Sequence, residues 1–138
     1  MVFANGVFDL VHVGHVRYLS GARALGARLV VGVNSDRSAA ALKGKGRPVL
    51  DEQERAQLIA ALRVVDRVVL FDERSADALL VALAPDVHAQ GNDYRSGTVS
   101  ERATMAVLGG RTVFAGDPRA HASRELYDRV RERHRSSR

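Results

Sequence analysis

The chain has 138 residues, the size of one ordinary domain, and apolar residues make up 46% of it, enough for a single packed core. The absence of cysteine excludes disulfides, thiolate nucleophiles and zinc–thiolate sites. The net charge of +5 comes almost wholly from arginine, Lys43 and Lys45 being the only lysines, and arginine forks suit phosphate-bearing partners, either nucleotides or nucleic acid.

Apolar runs of strand length alternate with segments of helical period, which predicts an α/β fold: a Rossmann-like parallel sheet in three layers, with helices on both faces. The first strand is expected over Val2–Val7, followed by a helix from about His15 to Leu25 with Gly26 as its stop. A second strand is expected over Leu29–Val33, and the stretch from Ala39 to Pro48, with Lys43-Gly44-Lys45-Gly46-Arg47, reads as a mobile loop. Asp51 is placed to cap the next helix, with Glu54 three residues on and an end near Arg63. Strands at Arg67–Phe71, Asp86–Ala89 and Arg111–Ala115 then alternate with helices from Ser75 to before Pro85, over Val99–Leu108, and from about Ala122. Residues beyond about 130, with Arg131, Arg133, Arg135 and Arg138, read as the fraying, solvated end of that last helix. No apolar run is long enough to cross a bilayer and Met1 leads straight into the first strand, so the expectation is a soluble cytoplasmic protein of one domain with no membrane partner.

The most informative segment is Asn5-Gly6-Val7-Phe8-Asp9-Leu10-Val11-His12-Val13-Gly14-His15, where a strand gives way to a helix. In an open parallel sheet, ligands bind beyond the carboxyl ends of strands, and helix N-termini there offer free N–H groups to anions. Gly6 and Gly14 let backbone approach such an anion, and His12 and His15 are spaced to share one face of the opening turn. A pair of histidines at this spacing has three readings: two imidazoles on one phosphate, a metal pair, or two histidines without special role. The scatter of His88, His121 and His134 and the lack of cysteine argue against metal; the flanking glycines and Asp9 argue against the bland reading.

The run Phe8-Asp9-Leu10-Val11-His12-Val13-Gly14-His15 resembles the HxGH motif of the cytidylyltransferase-like nucleotidyltransferases. The resemblance continues through Val33-Asn34-Ser35-Asp36, Leu42-Lys43-Gly44, Gly46-Arg47-Pro48, Glu54-Arg55, Leu62-Arg63-Val64-Val65-Asp66 and Gly91-Asn92-Asp93-Tyr94, which look like landmarks of heptose 1-phosphate adenylyltransferase domains and, in the same places, of glycerol-3-phosphate cytidylyltransferases. It implies transfer of CMP or AMP from CTP or ATP onto the phosphate or phosphonate oxygen of a small acceptor, with magnesium bridging the triphosphate. It implies that His12, His15, Lys43 and Arg63 act on the triphosphate, with Arg55 in support. Asn5, Gly6, Val7, Phe8, Gly14, Arg55, Gly91, Asp93 and Ser123 would bind nucleotide, and Asp9 and Lys43 would help place the acceptor. The family often forms dimers, which makes a homodimer the expectation.

Two departures concern the substrate. Ala122-Ser123-Arg124 stands where the family has a run of small hydroxyl residues, and Gln90 stands where heptose-type enzymes carry lysine. Arg119, His121 and Arg124 crowd the first of these places, which suggests an acceptor with extra negative charge, such as a phosphonate with a nearby carboxylate, and tilts the reading toward CTP. Heptose 1-phosphate with ATP is the alternative. A basic nucleic-acid-binding domain is a competing reading, opposed by only 5% aromatics and no recognised reader motif; a nucleotide sensor without catalysis is another, opposed by the intact histidine pair.

Overall fold

The computed structural model describes residues 1–44, 46–91, 99–116 and 123–137, with the side chains of 123–125 left aside. Five strands, β1 (Val2–Gly6), β2 (Leu29–Asn34), β3 (Arg67–Phe71), β4 (Val87–Gly91) and β5 (Arg111–Ala115), form one parallel sheet in the order β3-β2-β1-β4-β5. The helices are α1 (Val13–Arg23), α2 (Asp36–Lys43), α3 (Glu52–Ala60), α4 (Asp77–Leu83), α5 (Val99–Val107) and α6 (Ser123–Ser136).

A central parallel strand must be apolar on both faces, and β1 is: Val2 and Ala4 point into one core, Phe3 into the other. The first core joins β-strand residues such as Leu29, Val31 and Val33 to Leu19 and Ala22 of α1 and Ile59 of α3. The second joins Phe3, Val30 and Phe71 to Leu80 of α4 and Met105 of α5. The expected three layers follow from these two cores. The Phe3 ring lies across to Gly32 of β2, two residues beyond its register partner Val30; a Cβ on Gly32 would stand 2.8 Å from that ring. Asp77, at the start of α4, accepts hydroxyl bonds from Ser75 and from Ser100 and Thr104 of α5, which ties those two helices together.

Some boundaries differ from the sequence expectation, each for a local reason. Helix α1 begins at Val13 rather than His15, because His12 itself supplies the cap. It closes at Ala24 in right-handed conformation, so Gly26 is not its stop; glycine is needed there because a Cβ would meet Val2 Cγ2 at 2.8 Å. The supposed loop from Ala39 begins inside α2, a helix capped by the Ser35 side chain on the Ser38 amide and ended at Gly44 with φ of +91°. Asp51 caps α3 through the Glu54 amide, but the helix ends at Ala60. Strand β4 runs through Gly91, which brings Gln90 and Gly91 into the sheet. The basic end of the chain stays helical to Ser136 and is exposed.

The chain leaves β1 for β2 on one side and returns to β4 on the other, so the carboxyl end of β1 is the point where strand order reverses. Ligand crevices of open parallel sheets form at such points.

Candidate active site

Gly6 ends β1, and there a side chain would press within 3.2 Å of the Phe8 ring. Phe8 therefore folds back over the strand end, buried, with the Tyr18 ring stacked at 6.4 Å and the His15 ring edge-on at 5.4 Å. Phe8 and Leu10 both have φ of +54°, a left-handed conformation that costs a non-glycine residue about 1 kcal/mol and persists only where the surroundings impose it.

The two histidines form the opening of α1. His12 is the N-cap, and its Nδ1 accepts the Gly14 amide at 3.1 Å; His15 Nδ1 accepts the His12 amide at 3.2 Å. The imidazoles stack with centroids 4.0 Å apart and planes 28° from parallel. Because each Nδ1 receives a backbone N–H, each neutral ring carries its proton on Nε2, leaving an N–H donor opposite the capped edge. Burial pushes the His15 imidazole down to about 3, the nearby charges of His12 and Lys43 add to the effect, and Asp9 opposes it. His15 is thus a neutral donor at the positive end of a helix, suited to an anion's oxygens.

Lys43, the last residue of α2, is exposed and lies near enough to His15 to bear on its charge. Arg63 is exposed in the turn after α3, with no hydrogen bond or ion pair to the motif loop among the described residues.

Arg55 is neither a solvated charge nor turned toward ligand. Its side chain is 0% exposed, Nε donates to the Leu50 carbonyl, Nη1 to the carbonyls of Val7 and Asn34, and Nη2 to Asp36 Oδ1 at 2.8 Å. It bolts the motif loop to β2, α2 and the segment before α3. Direct nucleotide binding by Arg55 is corrected on this ground: its donors already face protein acceptors.

Asp9 has a similar inward role. The carboxylate is buried and accepts the amides of Val49 and Leu50 and the Tyr127 hydroxyl. Burial raises its pKa, but those donors together with the charge of Arg47 outweigh burial and hold the carboxyl below the usual range. Its oxygens are turned to protein donors, so placement of the acceptor by this carboxylate does not match the geometry.

Asn5, one residue before the end of β1, accepts through Oδ1 from His88 Nε2 at 2.7 Å. His88 is buried on β4 beside Phe3, and burial pushes it down to about 4 against the opposing charge of Asp77. Next along that face, Gln90 donates weakly to Glu101 at 3.5 Å. Glu101 also accepts the Ala76 amide. The sequence gives no individual role to His88, Arg47 or Tyr127; a histidine amid the apolar residues of a central strand is the one available signal. Gly91 closes β4 with open space where a side chain would stand. Lys45, Asp93, Arg119, His121 and Arg138 lie outside the described residues, as do the side chains of Ser123 and Arg124 at the start of α6.

No three His, Asp or Glu side chains among the described residues are grouped as a metal site. No described helix is long and apolar enough to cross a membrane.

The sequence model of the cytidylyltransferase-like family matches residues 3–134. The bifunctional protein HldE of Methylobacillus flagellatus is 52% identical over 114 residues, covering 83% of this chain and 23% of that protein. HldE of Pelobacter propionicus is 44% identical over 134 residues, covering 97% and 28%. The chain thus spans about a quarter of the length of these curated relatives. A solved structure described as the lipopolysaccharide core biosynthesis protein from Thermoplasma volcanium GSS1 superimposes with a TM-score of 0.73 at 36% identity, covering 84% of this chain and 95% of that one. A protein of unknown function from Archaeoglobus fulgidus, 21% identical with a TM-score of 0.63, shares the fold. The stacked histidine motif at the strand-order reversal and a match over nearly the whole chain agree: the chain belongs to the cytidylyltransferase-like family of nucleotidyltransferases.

Proposed function

We propose that the chain transfers AMP from ATP onto the phosphate oxygen of a heptose 1-phosphate, releasing pyrophosphate. The observation that carries the reading of the site is the stacked pair His12–His15, which caps α1 with both Nδ1 atoms and so presents Nε2–H donors at a helix N-terminus. The substrate choice is supported by the motif resemblance to heptose 1-phosphate adenylyltransferases, by HldE relatives, and by a structural neighbour named for lipopolysaccharide core biosynthesis. The tilt toward CTP and a phosphonate drew on residues 119–124, most of which lie outside the described part; nothing in the relatives favours it, and it becomes the competing arm of the test.

In this reading an acceptor phosphate oxygen attacks the α-phosphorus, and the bond from that phosphorus to the oxygen bridging the β-phosphate breaks. A phosphomonoester with a second pKa near 6 arrives largely ionised, so no side chain need act as base. Catalysis then consists of alignment and of donors aimed at charge that develops on the phosphoryl oxygens. His12 and neutral His15 donate from Nε2; Lys43 supplies mobile positive charge, and Arg63 reaches the triphosphate from its turn. Gly6 to Phe8 offer backbone amides, with Gly14 allowing close approach. Gly91, Asp93 and Ser123 serve the nucleotide, and Arg119, His121 and Arg124 the acceptor. Magnesium enters with the triphosphate as part of the substrate.

Pyrophosphate release with ATP and heptose 1-phosphate, set against CTP with a carboxylated phosphonate, tests the proposal. Faster turnover in the first mixture is expected. Turnover only in the second would move the assignment to cytidylyl transfer, and release in neither would remove it.

A further inference from the structure

Tyr127 and Asp9 are 118 positions apart in the chain, yet the Tyr127 hydroxyl donates to Asp9 Oδ2 at 2.6 Å. The same oxygen accepts the Val49 amide at 2.8 Å, and Oδ1 accepts the Leu50 amide at 3.1 Å. Arg47 closes the group, with its guanidinium carbon 3.3 Å from the centre of the Tyr127 ring. One buried carboxylate therefore gathers the motif loop, the segment leading into α3, and α6.

Two features make the junction more than a staple. Asp9 is flanked on both sides by left-handed non-glycine residues, so the loop's shape depends on what holds its carboxylate. From Asp128 to Ser137 the chain is exposed, and among the described side chains of α6 Leu126 and Tyr127 are the half-buried ones, with Tyr127 bonded to Asp9. The helix is fastened where the motif loop is strained.

We propose that Tyr127 is a positioning residue for nucleotidyl transfer, coupling the docking of α6 to the shape of the triphosphate-binding loop through Asp9. The proposal rests on the reading of that loop as the triphosphate site. A phenol donating to a buried carboxylate is a charge-assisted bond, stronger than a neutral one. Without it Asp9 keeps its burial but loses one of its donors, and the backbone it holds relaxes away from the arrangement that aims donors at phosphate.

Tyr127→Phe removes the hydroxyl and keeps the ring beneath Arg47. In the full chain without nucleotide, amide exchange at Val49 and Leu50 should quicken, and the calorimetric Kd for ATP with magnesium should rise about tenfold, the scale of one lost bond to a charged group. In an Asp9→Asn background the same change should add little, because the bond's acceptor is already altered. A variant Kd equal to that of the wild type overturns the proposal even if α6 exchanges faster, since a simple staple would behave that way. If the wild type itself binds neither ATP nor CTP, the functional reading fails and this proposal with it; a wild type that binds beside an unaffected variant overturns the proposal alone.

Discussion

The chain holds two kinds of histidine whose titration looks alike and whose surroundings do not. His15 and His88 are both driven toward the neutral form chiefly by burial, to about 3 and about 4. His15 binds a backbone amide through Nδ1 and shares a stacked pair at the mouth of a helix. His88 donates from Nε2 to Asn5 inside the sheet, and its Nδ1 has no hydrogen-bond partner among the described residues. Depressed basicity therefore does not mark the working residue. Which nitrogen the protein has used, and which way the other one faces, does.

The largest contrast should come from His15→Ala, which removes a donor at the reacting phosphate and should lower kcat by roughly a hundred- to a thousandfold. His15 also caps α1 and leans on Phe8, so a modest loss of stability in urea melts should accompany it. Loss of stability with unchanged kcat would make the pair structural and erase the distinction from His88.

Arg55→Ala should come next, costing about 3 kcal/mol in urea melts, because the buried carbonyls of Val7, Asn34 and Leu50 lose their donor together. A cost near zero would mean that the bolt beneath the motif loop is dispensable.

The pH dependence follows from the direction of the shifts. A histidine held below its ordinary 6.5 binds fewer protons in the folded chain than in the unfolded one between its folded value and 6.5. Its contribution to stability is complete above pH 6.5 and is lost as pH falls through that window. Stability should decline from pH 6.5 toward 4, and His88→Leu should flatten the slope by about one proton. An unaltered slope would show His88 titrating normally.

The smallest effect is expected on turnover in His88→Leu. Asn5 loses its partner, at a cost of about 1 kcal/mol in stability, while kcat stays within about threefold of the wild type. A loss as deep as that of His15→Ala would merge the two classes.

Much of this was legible in the residues. β3 and β5 stand where the apolar runs between turn signals put them, and the histidine spacing and its strand–helix setting pointed to the motif. Helix α2 was obscured because its last turn merges with a glycine- and lysine-rich stretch, although Ser35 and the alanines that follow carried a helix signal. The inward turns of Arg55 and Asp9 were not legible, because charged residues are ordinarily solvated and their partners come from remote segments. The bond from Tyr127 to Asp9 is the extreme case: nothing local at either residue announces it.

The most direct test of the account follows the ring nitrogens themselves by long-range proton–nitrogen NMR of histidine-labelled protein at neutral pH, before and after ATP with magnesium is added. His12 and His15 should carry their protons on Nε2, and those resonances should move on binding while those of His88 stay still. Protons on Nδ1, or an unmoved pair in a nucleotide-saturated sample, would contradict the claim that two imidazoles grip the triphosphate through Nε2.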